Sequence, residues 1–144
     1  MKKITFTLVL MLISIAFANS SSHKPSDATV TQVENCYNDY VAALQMKTDS
    51  KADRDLQKKA DSKFRAVCLT KKFRHDWRKR ANTHGADPFL NVQDTLKEWV
   101  GSATVQEFNR QSQTGKVIIG AGAEQNCLNF TLDKMQIDSS ETCK

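Results

Sequence analysis

Four cysteines, three histidines and one dense basic run are the residues of this 144-residue chain best suited to chemistry. The cysteines are Cys36, Cys68, Cys127 and Cys143. A zinc site draws cysteines in close pairs, and no CxxC pair occurs, while the histidines are scattered. Thiol redox catalysis also usually uses CxxC. An even cysteine count in an oxidising compartment makes two structural disulfides the default. Three connectivities are open. The sequential one, Cys36–Cys68 with Cys127–Cys143, closes loops of about 33 and 17 residues, each worth roughly 3–4 kcal/mol by chain entropy.

The remaining polar residues offer weaker chemistry. His75-Asp76 has the composition of an acid–base pair, but neighbours on a helix point about 100° apart. A metal site of His75, His84 and Asp87 would need a loop to fold back, so neither a metal nor another cofactor is expected. The block Ala86 to Asp94 sets two aspartates around Phe89-Leu90-Asn91. Asp87 and Asp94 can meet a ligand or partner, or can satisfy loop amides. The run 71–80 holds Lys71, Lys72, Arg74, Arg78, Lys79 and Arg80, interleaved with Phe73 and Trp77. It can meet an acidic surface, or form the solvated side of a helix whose apolar residues are buried. Candidate partner-binding residues are therefore Lys71, Lys72, Arg74, Arg78, Asp87 and Asp94. No nucleophile–base arrangement is recognisable, and an enzyme is not expected. Asn129-Phe130-Thr131 matches a glycosylation acceptor but reads as an exposed strand.

The compartment is read from the first residues. Lys2 and Lys3 precede an apolar run from Ile4 to Phe17, and Ala16-Phe17-Ala18 has the small-x-small form of a cleavage site. The run falls short of the roughly 20 residues that span a bilayer. Residues 1–18 are thus expected to be a cleaved export signal, delivering the chain to a periplasm without a stable membrane anchor. No cysteine sits at the cleavage site to carry lipid. Loss of Lys2 and Lys3 lowers the formal charge from +5 to +3, a weak basis for nucleic-acid binding.

The elements that must position these residues follow from periodicity. Residues 19–27 read as a flexible terminus and residues 28–144 as a single domain. Val30, Val33, Tyr37, Tyr40, Val41 and Leu44 form one stripe of a helix over 28–46. A second helix, over 51–69, opens on Ser50 and Asp53 and places Leu56, Ala60, Phe64, Val67 and Cys68 inward. A tight hairpin turning at residue 49 or 50 sets Cys36 opposite residue 63, about 7.5 Å along the helix from Cys68. That strains a Cys36–Cys68 bond unless the helices cross or bend. A third helical piece runs over 69–80, followed by loop over 82–88. Strands are expected over 103–108, 116–121, 128–132 and 135–137, with a turn at Asp133-Lys134. Helices first and strands later give an α+β domain, its N-terminal helices packed on a curved antiparallel sheet.

Leu69-Thr70-Lys71-Lys72-Phe73, the Ala86 to Asp94 block and Asn35-Cys36-Tyr37-Asn38-Asp39-Tyr40-Val41 together resemble a family of small exported bacterial domains of unknown function. The resemblance covers residues 30–132 and implies an NTF2-like, or cystatin-like, cone that binds and does not catalyse. The family's final Trp-x-Ile strand is replaced by Met135-Gln136-Ile137, which suggests a shortened sheet. Two functions follow as expectations. One is a periplasmic immunity or inhibitor protein that neutralises a cell-wall-targeting effector, its partner being another protein, a secreted effector or envelope hydrolase. The other is a small-ligand-binding or accessory envelope domain, with Tyr37, Tyr40, Phe64 and Phe89 as pocket or as plain core. A homodimer is compatible with either.

Overall fold

The computed structural model describes residues 27–84 and 86–144, without the side chains of Arg78 and of residues 82–84. The expected export signal at 1–18 and residues 19–26 of the expected flexible terminus lie outside the described residues. Among the described residues, three α-helices precede four strands, an α+β arrangement. They are α1 (Ala28–Leu44), α2 (Lys51–Cys68) and α3 (Lys71–His84). The strands β1 (Thr104–Asn109), β2 (Thr114–Ile119), β3 (Asn126–Asp133) and β4 (Gln136–Thr142) form one antiparallel meander in chain order. None of the described helices is long and apolar enough to cross a membrane.

Local chemistry sets the boundaries. Asp27 caps α1 by accepting from the Thr29 amide. Ser50 and Asp53 form a reciprocal capping box on α2. Between α2 and α3, Leu69 leaves the helix and pairs with Ile137 of β4. The Thr70 amide then donates to the Ile137 carbonyl, 3.1 Å. The Thr70 hydroxyl accepts from the Phe73 amide, 3.1 Å, so the third helix starts after Leu69. It also continues to His84, through residues expected to be loop. Ala81 and Asn82 tolerate helix, and the stop signals, Gly85 and Pro88, come only later.

Both disulfides are sequential. Cys36–Cys68 spans a Cα separation of 5.7 Å and Cys127–Cys143 one of 5.4 Å. The geometric objection to the first dissolves because α1 and α2 pack in a shifted register. Tyr40 stacks on Phe64, centroids 4.5 Å apart. Four residues back in α1 and four on in α2, Cys36 meets Cys68. The first turns of α2 therefore project past the end of α1. Only Phe64 and Cys68 of α2 are buried, and Leu56 and Val67, expected inside, are 53% and 51% exposed.

Beneath the helices, the inner side of the sheet carries Val105, Val117, Ile119, Leu128, Phe130 and Ile137. Both edges are occupied near their starts. Glu34 and Asn38 of α1 accept from the amides of Val105 and Ala103, each at 2.9 Å, and Leu69-Thr70 covers β4. An edge amide satisfied in this way cannot recruit a foreign strand. The last strand is longer than expected. Lys134 and Met135, both at positive φ, make the two-residue turn, and β4 runs to Thr142. The sheet therefore has its fourth strand despite the missing Trp-x-Ile signature. Ser140 occupies an inward position and is buried by hydrogen bonds, so β4 shows no apolar alternation.

Candidate functional site

The residues singled out by sequence do not converge. Asp87 turns inward, whereas Lys71, Lys72 and Arg74 of α3 are exposed. One Asp87 oxygen accepts from the amides of Phe89 at 2.9 Å and Leu90 at 2.7 Å. The other accepts from the Tyr40 hydroxyl. The backbone closes the turn, with the Asp87 amide donating to the Val92 carbonyl at 2.7 Å and the Asn91 amide to that of Asp87 at 2.8 Å. Asn91 sits at φ 55°, a left-handed position that asparagine tolerates. The turn drives Phe89 into the centre of the molecule. Tyr37 stacks on it at 4.5 Å, and Phe64, Tyr40 and Phe73 meet it edgewise at 5.1, 5.3 and 6.1 Å.

Hydrogen bonds complete this lock. Ser140 donates to the Phe89 carbonyl at 2.7 Å and shares a 3.0 Å bond with the Tyr37 hydroxyl. The Asn126 amide group donates to the Leu90 carbonyl, 2.8 Å, and that of Asn91 to the Ser140 carbonyl, 3.0 Å. Burial pushes both the Tyr37 and Tyr40 phenols above their ordinary range, and the Asp87 carboxylate adds to this at Tyr40. Among the described residues, every buried side-chain nitrogen or oxygen has a partner. Tyr37, Tyr40, Phe64 and Phe89 are thus core, and they fill the space that a ligand would need. Asp94 is exposed, beyond the turn, and takes no part in the Asp87 network.

The basic helix presents a different face. Phe73 and Trp77 are buried, while Lys71, Lys72, Arg74 and His75 are exposed. Lys71, Lys72 and His75 line an open cleft of about 700 Å³ with Thr70, Asp133 and Asp138. Lys72 pairs with Asp138 at 2.9 Å, and Thr70 donates to the same carboxylate at 2.7 Å. The Thr70 bond, then Lys72, holds the Asp138 carboxyl below its usual range. Arg74 lies on this helix outside the cleft, and the Arg78 side chain is not among those described. Chemically, the cleft can receive a carboxylate or other small anion on its lysine wall. Among the described residues, no group of three His, Cys, Asp or Glu side chains is placed to hold a metal ion.

A third surface escapes the sequence reading. The sheet face turned away from the helices carries a trough of about 640 Å³. One cross-strand row is Glu107, Lys116, Asn129 and Glu141, and the next is Asn109, Thr114, Thr131 and Ser139. Lys116 pairs with Glu107 at 3.0 Å, and Thr131 shares a 2.8 Å bond with Ser139. Alternation of polar and apolar residues in β3 signals this face, but pairing the four strands into rows needs the register.

No family model matches the sequence, and no curated protein matches it either. The fold is similar to a solved structure of a protein of unknown function from Bacteroides thetaiotaomicron VPI-5482. The TM-score is 0.58 at 15% identity, over 78% of this chain and 87% of that one. A likeness at this identity speaks to the fold alone.

Proposed function

We propose that the chain is a non-catalytic periplasmic inhibitor of the immunity type, which neutralises a cell-wall-targeting toxic effector by binding it. The fold is then a variant of the NTF2-like cone whose pocket has been closed. One observation carries the reading: the space between helices and sheet is filled by Tyr37, Phe89, Leu90 and Phe130, all fully buried. What such a molecule binds, it binds on its outside. Two disulfides suit the role, because a recognition surface held rigid before binding loses little entropy on binding. They also fit an oxidising compartment.

The test is an exported cell-wall hydrolase encoded beside this gene. The purified chain should form a stoichiometric complex with it and suppress its activity, and deleting the gene should cause self-intoxication. Absence of both effects rejects the proposal.

The polar trough on the outer sheet face favours a second reading, a small-ligand-binding envelope domain. That reading requires a polar solute to raise the melting temperature, and Asn129→Ala with Thr131→Ala to abolish the rise.

A further inference from the structure

The small total charge conceals a strong internal asymmetry. Residues 51–80, comprising α2, the Leu69-Thr70 link and most of α3, hold twelve Lys and Arg against four Asp, a formal +8. Residues 81–144, which contain the whole sheet, hold five Lys and Arg against eight Asp and Glu, a formal −3. The second region offsets three of the first region's eight positive charges, so the total understates the field near the first.

The positive pole is exposed and firmly held. Lys51, Lys58, Lys59 and Lys63 of α2, with Lys71 and Arg74 of α3, are all exposed. None of these six has an ion-pair partner among the described residues, whereas Arg65 pairs with Asp61 and Lys72 with Asp138. Cys68 ties the end of α2 to α1. Arg65 of α2 lies 4.2 Å over the Trp77 ring of α3, and Leu69-Thr70 is bonded to β4. A groove of about 310 Å³ between α1 and α2 adds apolar walls, including Ala42, Met46, Ala60 and Val67, with Lys63 and Asp39 as its charged lining residues. An apolar seat bordered by charge is the usual anatomy of a protein-binding hot spot.

An acidic protein and an anionic lipid layer would both be drawn to such a pole. A helix that lies on lipid presents Trp, Phe or Leu as a continuous apolar face beside its basic residues. Here Phe64, Phe73 and Trp77 are buried, and the exposed Leu56 and Val67 stand about three turns apart. The negative sheet half would also repel an acidic partner and so orient its approach. We propose that α2 and α3 together form the docking surface for an acidic protein partner, with the α1–α2 groove receiving an apolar side chain of that partner. This deepens the inhibitor reading and rests on it for the identity of the partner.

Three forms of the full, disulfide-bonded chain test the proposal: wild type, K58E/K59E/K63E, and a control, K97E/K134E/K144E, whose net charge changes equally. All substituted residues are exposed, so both variants should keep the wild-type melting transition. The probes are immobilised poly-L-glutamate, phosphatidylcholine vesicles containing phosphatidylglycerol, and the neighbouring exported hydrolase. The α2 variant should elute from polyglutamate at much lower salt than wild type, with the control close to wild type. Its affinity for the hydrolase should fall about tenfold or more, and that of the control less than about twofold. Equal weakening by the two variants overturns the proposal. So does retention of the wild type on vesicles without retention on polyglutamate, which would mark a membrane surface. If the hydrolase does not bind but the polyglutamate pattern holds, the inhibitor reading fails and the acidic docking surface stands.

Discussion

The Asp87–Leu90 turn and the first turns of α3 are built alike, each setting charge beside phenylalanine, yet they do opposite work. Asp87 faces two backbone amides and a buried hydroxyl with no other acceptor at hand, and its carboxylate satisfies all three. Lys71 and Arg74 stand on the solvent side of a helix whose start is already capped by the neutral Thr70, through its hydroxyl to the Phe73 amide and its carbonyl to the Arg74 amide, so their side chains remain in water. A charge serves the fold where the backbone lacks partners, and serves the surface where it does not. The difference places stability in one region and, on the proposal above, recognition in the other.

That division can be broken most strongly at Phe89. Phe89→Ala should cost about 3–5 kcal/mol in urea denaturation, because the ring is fully buried among four aromatic neighbours. Lys71→Ala, its counterpart on the exposed face, should change stability by less than about 0.5 kcal/mol. Asp87→Ala should cost about 2–3 kcal/mol, as it strands the Tyr40 hydroxyl and two amides. Asp87→Asn keeps one acceptor oxygen and should cost less. Ser140→Ala removes the donor to Phe89 and the partner of Tyr37, at about 1 kcal/mol by the same measurement.

The smallest effects separate the two regions by pH. Tyr40 and Tyr37 have raised folded values, so their contribution is present below the unfolded phenol value near 10 and is lost as pH rises beyond it. Tyr40→Phe should flatten that alkaline fall. Asp138 beside α3 has a lowered folded value, so its contribution is present above the ordinary carboxylate value near 4 and is lost as pH falls through the lower folded one. Asp138→Asn should flatten the acid fall and leave the alkaline one unchanged.

Much of the helical half was legible in the sequence, because its periodicity reports one buried face. Val30, Val33, Tyr37, Tyr40 and Val41 are all buried as their spacing requires. Leu56 misleads because it shares that spacing while the first turns of α2 project past α1, a consequence of helix register that no single-helix pattern contains, and Val67 because it faces the open α1–α2 groove beside Cys68. β4 is cryptic since its inward Ser140 is held by hydrogen bonds. The candidate site was legible as residue types only. Nothing in Asp87-Pro88-Phe89 announces that its oxygens turn to Phe89, Leu90 and Tyr40, the last of them 47 positions away. The charge contrast between residues 51–80 and 81–144 is fully present in the sequence, but it becomes a surface only when α2 and α3 are held together.

The central claim is that the chain binds on the outside of its helices and keeps its interior closed. Amide hydrogen exchange of the chain, alone and with the neighbouring exported hydrolase, tests it most directly. The account predicts added protection within residues 51–80, with the Phe89 and Leu90 amides, which donate to Asp87, unchanged. Added protection confined to residues 86–94 or to the strands, with 51–80 unaffected, would contradict it.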